Sequence, residues 1–310
     1  MIIWLQNILL TTALLLFFPQ QSAKTDPAHN ASSGLSLAFE TPREETFVPS
    51  IDAKKSIRVV TWNIDRGTEL KLIGDELQKN PADLYLLQEV DSNTKRAENV
   101  DEAAVLAKRL KMNMRYAVEF EELSQESKQQ ESSNPAYTGQ ATLTRLPIRN
   151  ARILRFQHQS GFWKPRDWIP SSLPFMQRRL GNRIALVTDL EFAGKPLIVY
   201  NLHLESRSMG KLQDEQLDEV LADMKRYPPN TAFLVAGDFN TKYLPSIFLH
   251  KLERAGFHSA TGNRVERTHK ILLALDWIFV RGPIRVEDGR VNRNLEGSDH
   301  YPLYTEVVAQ

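Results

Sequence analysis

The 310-residue chain contains no cysteine. Disulfides, thiolate metal sites and cysteine nucleophiles are therefore excluded together. A lipoprotein anchor is excluded as well, because there is no thiol to acylate. An excess of either charge is also missing. The formal net charge is +1, so no global field marks the chain as a nucleic-acid binder. No internal repeat is visible. Lys and Arg are missing from the first 23 residues, although an apolar run fills residues 8–18 and extends back through Leu5, Trp4, Ile3 and Ile2. Pro19-Gln20-Gln21-Ser22-Ala23 follows, polar and ending in a small residue. The pattern reads as a signal peptide cleaved at about Ala23, which predicts export to the periplasm or the exterior, with an uncleaved membrane anchor as the competing reading. Residues 24–55 are Ser, Thr, Pro and charge without period and read as a linker. Residues 56–310 are left for the folded domain.

What is present is ordinary for a globular protein, with 42% apolar and 25% charged residues. The stretch that organises the rest is Gly237-Asp238-Phe239-Asn240. It follows an apolar run, residues 232–236, with the length and β-branched content of a buried strand. The glycine lets the chain turn where a side chain would crowd the backbone. Asp238 and Asn240 then alternate toward one side. A carboxylate and an amide at the mouth of a buried strand suit hydrolysis. An Asp/Asn turn after a strand is the plain alternative.

In chain order, residues 57–62 alternate as a strand and lead into Asn63. Leu70, Ile73 and Leu77 share one helical face, stopped by Asn80-Pro81. Residues 83–87 form a second buried strand, ending in Gln88-Glu89. Ala103, Leu106 and Leu110 mark a helix. Residues 121–134 read as a solvated insertion, and 139–146 as a strand. Residues 183–191 and 196–202 form a hairpin through Ala193-Gly194-Lys195. Leu212, Leu217, Val220, Leu221 and Met224 mark a helix closed by Pro228-Pro229. A helix over 245–255 ends at Gly256. Strands over 275–280 and 303–308 complete the pattern. Asn63, Glu89, His203, Asp238, Asn240, Asp299 and His300 mostly flank the ends of apolar β runs, where sites are built in sheet proteins.

The ordered stretches Thr61-Trp62-Asn63-Ile64, Leu87-Gln88-Glu89-Val90, Asn201-Leu202-His203-Leu204, Gly237-Asp238-Phe239-Asn240, Leu275-Asp276-Trp277 and Ser298-Asp299-His300 resemble the endonuclease/exonuclease/phosphatase superfamily, as a secreted bacterial-type member. The resemblance implies the DNase I-like fold: an α+β, four-layer α/β/β/α sandwich with two central, mostly antiparallel sheets. It implies Glu89 as the main metal ligand, with Asn63 and Asp299 close by. Asp238 would orient or deprotonate water, and Asn240 would hold a phosphate oxygen. His203 and His300 would stabilise charge or protonate the leaving oxygen, and Asp276 would pair with His300. The Asn-x-His-Leu form sets aside the exonuclease III-like abasic-site enzymes, which usually lack that histidine. Carboxylates brought into one cleft repel. A hard divalent cation answers the repulsion, and oxygen ligands without thiols favour Mg²⁺, with Mn²⁺ as substitute, over zinc.

Between Arg145 and Arg183 stand nine basic residues and one acidic residue, Asp167. Phe162, Trp163, Trp168 and Phe175 are interleaved with them. The mixture suits a nucleic-acid backbone with stacked bases. It also suits an anionic membrane surface, or a loop whose aromatics pack on the sheet. Arg183 and then Arg179 are the candidate substrate-phosphate contacts. The reading taken is an exported, metal-dependent endonuclease cleaving DNA or RNA. It implies a nucleic-acid substrate and a monomer, and nothing in it calls for a protein partner. The alternatives are a secreted sphingomyelinase-type phosphodiesterase acting on membrane lipid, and a scaffold of the same fold without turnover.

Overall fold

The computed structural model describes residues 37–51, 54–123, 135–161, 179–243 and 245–310. The expected signal peptide lies outside them, as do the aromatic residues of the basic stretch. Among the described residues no helix is long and apolar enough to cross a membrane.

Apolar runs form two sheets that pack face to face. The first sheet takes β1 (Arg43–Glu45), β2 (Ser56–Asn63), β3 (Leu84–Ser92), β4 (Asn113–Glu122), β5 (Tyr137–Thr144), β7 (Arg179–Gly181), β13 (Ile284–Val291) and β14 (Leu303–Ala309). Its order is β1-β4-β5-β3-β2-β14-β13, with β7 beside β4. The second sheet takes β6 (Ile148–Arg155), β8 (Ile184–Phe192), β9 (Lys195–His203), β10 (Ala232–Asp238), β11 (His258–Ser259) and β12 (Asp276–Arg281), in the order β11-β12-β10-β9-β8-β6. Most pairings are antiparallel; β2 with β3 and β9 with β10 are parallel.

Between the sheets Ile57, Val59, Leu84 and Leu86 meet Val199, Leu234, Ile278 and Val280. Helices α3 (Lys211–Asp223) and α4 (Pro245–Arg254) cover the outer face of the second sheet. They bury Leu217, Val220, Phe248 and Leu252 against Tyr200, Phe233 and Val235. Helices α1 (Leu70–Lys79) and α2 (Glu102–Leu110) lie against each other, and α2 packs on β3 and β4. The order is helix, sheet, sheet, helix, as the resemblance implied. Both faces of β10 are covered and all seven of its residues are buried, which is why the run reads as continuously apolar rather than alternating.

Three differences from the sequence reading matter for the site. First, β3 does not stop at Glu89. It runs on to Ser92 through a register shift against β5 between Leu87 and Val90. Glu89 sits in that bulge with φ 51. A bulge re-aims a side chain within a continuing strand. Second, β4 and β6 form where no strand was expected. Arg115, Glu119 and Glu122 on β4 are buried, so its polar alternation conceals a covered strand. Third, part of the expected linker is fold: Phe39 is buried, and β1 pairs with β4.

Candidate active site

The site begins with Gly237. Its φ is 143, and a Cβ there would stand 1.9 Å from the carbonyl oxygen of Leu202. Only glycine lets β10 lie this close to β9. The register then places Asp238 opposite His203 on β9 and opposite Asp276 on β12. Phe239 is fully buried in the core under α3 and α4 and anchors the turn. Asp238 Oδ1 accepts the backbone N–H of Asn240 at 2.8 Å, an Asx turn. Asn240, with φ 51, donates its Nδ2 to Leu204 O at 3.0 Å.

Two histidines flank Asp238. Its Oδ2 lies 3.6 Å from His203 Nε2 and 3.9 Å from His300 Nε2. Each imidazole has a carboxylate behind it. His300 Nδ1 lies 2.8 Å from Asp276 Oδ2. Burial opposes charge on His300, but Asp276, Asp238 and Asp299 overcome it and raise its pKa to about 10. His203 Nδ1 lies 3.2 Å from Glu119 Oε2. Arg183 Nη1 donates to the same Oε2 at 3.0 Å and packs against the His203 ring. Arg183 thus supports His203 from behind and is buried. Arg179 Nε lies 2.9 Å from Glu122 Oε1, with its guanidinium over Phe120.

The remaining residues join the ends of the first sheet to this row. Ser298 Oγ donates to Asn63 O at 2.7 Å and accepts the N–H of His300 at 3.0 Å. Trp62 Nε1 donates to His300 O at 3.0 Å. The Ser-Asp-His turn is therefore tied to the end of β2. Asn63 Nδ2 reaches Asp238 Oδ2 at 3.1 Å and Glu89 Oε1 at 3.4 Å. Its Oδ1 accepts the N–H of Asp65 at 3.1 Å.

Residues 60–300 match the Endonuclease/Exonuclease/phosphatase family. The chain belongs to that family. Among solved structures, an endonuclease/exonuclease/phosphatase from Beutenbergia cavernae DSM 12333 is similar at 16% identity, covering 83% of this chain and 72% of that one, with a TM-score of 0.59. The human Nocturnin catalytic domain with bound sulfate anion is similar at 19% identity, over 84% and 97% of the two chains, with a TM-score of 0.59. TDP2 from Caenorhabditis elegans is similar at 17% identity, over 82% and 74%, with a TM-score of 0.54. No curated protein sequence matches the chain.

Asn63, Glu89, His203, Asp238, Asn240, Asp276, Asp299 and His300 all come to one end of the two sheets of this family member. The sequence reading missed four neighbours. Asp65 and Arg66 follow the Trp-Asn-Ile motif directly, and that adjacency was a usable signal. Glu119 and His269 carried none, since their partners lie far away in the chain. Burial, with the charges of Asp299 and Glu89, pushes the Asp65 carboxyl up to about 6. Burial works against charge on Glu89 too, but Arg66, His203, Arg183 and Arg179 hold it well below the usual carboxylate range. Arg66 Nε lies 3.3 Å from Glu89 Oε2. Three carboxylates near enough to perturb one another, with no thiol among them, suit a hard divalent cation. The structure also groups His269, Asp299 and His300, and Asp238, Asp276 and His300, as sets that could hold a metal ion.

Proposed function

We propose that the protein is a metal-dependent phosphodiester hydrolase acting on a nucleic-acid backbone. The observation that carries the reading is Asp238 held between two carboxylate-backed histidines, next to an acidic cluster. Glu89, Asp299 and Asp65 would hold the cation, with Asn63 beside them. When bound, the cation would polarise a phosphoryl oxygen and neutralise developing charge. Asp238 would accept a proton from water. His300, kept protonated by Asp276, would donate to a phosphoryl or leaving oxygen. His203, its Nδ1 facing Glu119, presents Nε2 to the same space.

Support for nucleic acid does not come from the described part of the basic stretch. Arg149 pairs with Glu191, Arg152 with Asp223 and Arg183 with Glu119. Arg145 and Arg155 donate to backbone carbonyls. These residues hold the fold. The reading rests instead on cations that are engaged too but stand at the reacting end: Arg66, Lys242, which donates to Ser206 O at 3.2 Å, and Arg207. Arg66 pairs with Glu89. Burial depresses the Lys242 pKa while Asp238 opposes the shift, and burial likewise depresses that of Arg207 near Arg183. Three cations beside the reacting end suit a polyanion. We also propose action outside the cytoplasm, on the strength of the apolar run at residues 8–18.

The test assays one preparation on plasmid DNA, RNA and sphingomyelin vesicles, each with Mg²⁺ and with EDTA. Mg²⁺-dependent cleavage of DNA or RNA, absent from vesicles, is expected. Turnover of sphingomyelin alone would replace the nucleic-acid reading with the lipid one.

A further inference from the structure

His269 has no place in the proposed mechanism, yet it lies against two residues that do. Its Nε2 is 3.2 Å from Asp299 Oδ2. Its ring meets that of His300 edge-on, with centroids 4.6 Å apart at 79°. The backbone around it is fixed independently of the side chain. Tyr301 N donates to Thr268 O at 2.7 Å, and Lys270 N to Asp299 O at 2.9 Å. His269 and His300 form a β-bridge.

The geometry could be read as a two-histidine, one-carboxylate metal site. The second nitrogen of His269 argues against that. Nδ1 accepts the backbone N–H of Ile271 at 3.1 Å, so the proton of the neutral ring is on Nε2. A histidine that ligates metal through one nitrogen donates a hydrogen bond from the other. His269 does the reverse, and its Nε2–H faces Asp299. The imidazole is therefore a donor to the carboxylate. Asp299 is 49% exposed, so without that donor little holds its rotamer. With Oδ2 engaged, Oδ1 keeps its lone pairs for another partner.

We propose that His269 is the positioning residue for Asp299, and that it sets the affinity of the site for a divalent cation. The inference rests on the metal-dependent reading above. Partners of this kind change metal affinity by roughly 10–100-fold when removed.

The test measures Mn²⁺ binding directly, by the electron paramagnetic resonance signal of free Mn²⁺, on the full chain without substrate. His269→Phe keeps a ring against His300 and removes the donor. His269→Gln keeps an N–H at the same reach. His269→Phe is expected to weaken Mn²⁺ binding on the order of 10-fold or more, with His269→Gln close to the unsubstituted protein. In an Asp299→Asn background His269→Phe should have little further effect, because the two residues act through one contact. Circular dichroism melts should be unchanged by either His269 substitution. Equal losses in His269→Phe and His269→Gln would overturn the proposal, since the imidazole itself would then be required. An undiminished His269→Phe effect in the Asp299→Asn background would overturn it as well. Mn²⁺ binding that His269→Phe leaves intact overturns this inference alone. No Mn²⁺ binding by the unsubstituted protein overturns the metal reading and this inference with it.

Discussion

Asp238 faces two imidazoles that are held differently. His300 is backed by Asp276, and that pairing keeps it protonated across the neutral range. Its contribution should grow as charge develops on phosphoryl oxygens, so it belongs to kcat rather than KM. His300→Ala is expected to lower kcat on the order of 100-fold, with KM nearly unchanged. A near-normal kcat in steady-state assays would make this histidine structural. A second residue-scale consequence lies beneath the Asp65-Arg66-Gly67 turn. A Cβ on Gly67 would stand 2.0 Å from Glu102 Oε1, and Glu102 Oε2 accepts the N–H of Asp91 at 2.7 Å. Burial and the neighbouring Asp91 raise the Glu102 pKa from 4.5 to about 9. The folded state therefore holds a proton that the unfolded state releases. That group's contribution to stability is fully present below pH 4.5 and is lost as pH rises through about 9. Glu102→Gln mimics the protonated form. It should stabilise the protein by about 1–3 kcal/mol at pH 8 and not at pH 4. Urea melts at the two pH values check this, and an equal effect at both would contradict it.

At the scale of elements, the site depends on how closely two parallel strands approach. Gly237 sits where any side chain would strike the Leu202 carbonyl. Gly237→Ala is expected to cost roughly 3 kcal/mol in urea melts, from strain and overpacking together. Its kcat should fall further than that of a core variant with matched destabilisation, such as Ile278→Val combined with heating, because Asp238 follows directly. Stability equal to the unsubstituted protein would show that β10 can shift away from β9. The crowding at Gly237 was legible in the sequence, because an apolar run followed by glycine and two polar residues states its own geometry. The hairpin of β8 and β9 and the helices α1 to α4 were legible for the same reason: their periodicity is local. β4 was not. Its Arg115 and Glu119 look like solvent-facing positions, and only distant partners, Arg183 and His203 among them, make Glu119 a buried one. The continuation of β3 past Glu89 was hidden likewise, since a bulge depends on the strand beside it.

For the whole molecule, the two sheets are joined behind the site by buried polar side chains as well as apolar ones. Gln88 Nε2 donates to Asn201 Oδ1 at 2.7 Å and to Thr61 Oγ1 at 3.1 Å. Asn201 Nδ2 donates to Leu87 O and Ala141 O. Such contacts fix one register between the sheets, where apolar packing alone tolerates sliding. That register brings Glu89 and Asn63 from one sheet to His203 and Asp238 from the other. Ordered motifs foretold which residues would gather. Spacing could not foretell that Arg183 would serve His203 from behind, nor that Glu119 would back the same ring. The proposed metal-dependent phosphodiester hydrolysis depends on this gathering. The most direct measurement is hydrolysis of bis(p-nitrophenyl) phosphate after exhaustive dialysis against EDTA, followed by titration with Mg²⁺ and Mn²⁺, for the unsubstituted protein and Glu89→Gln. The account predicts no turnover without metal, recovery on titration, and loss on the order of 100-fold or more in Glu89→Gln with an unchanged circular dichroism melt. Full turnover in the metal-free protein, or undiminished turnover in Glu89→Gln, would contradict it.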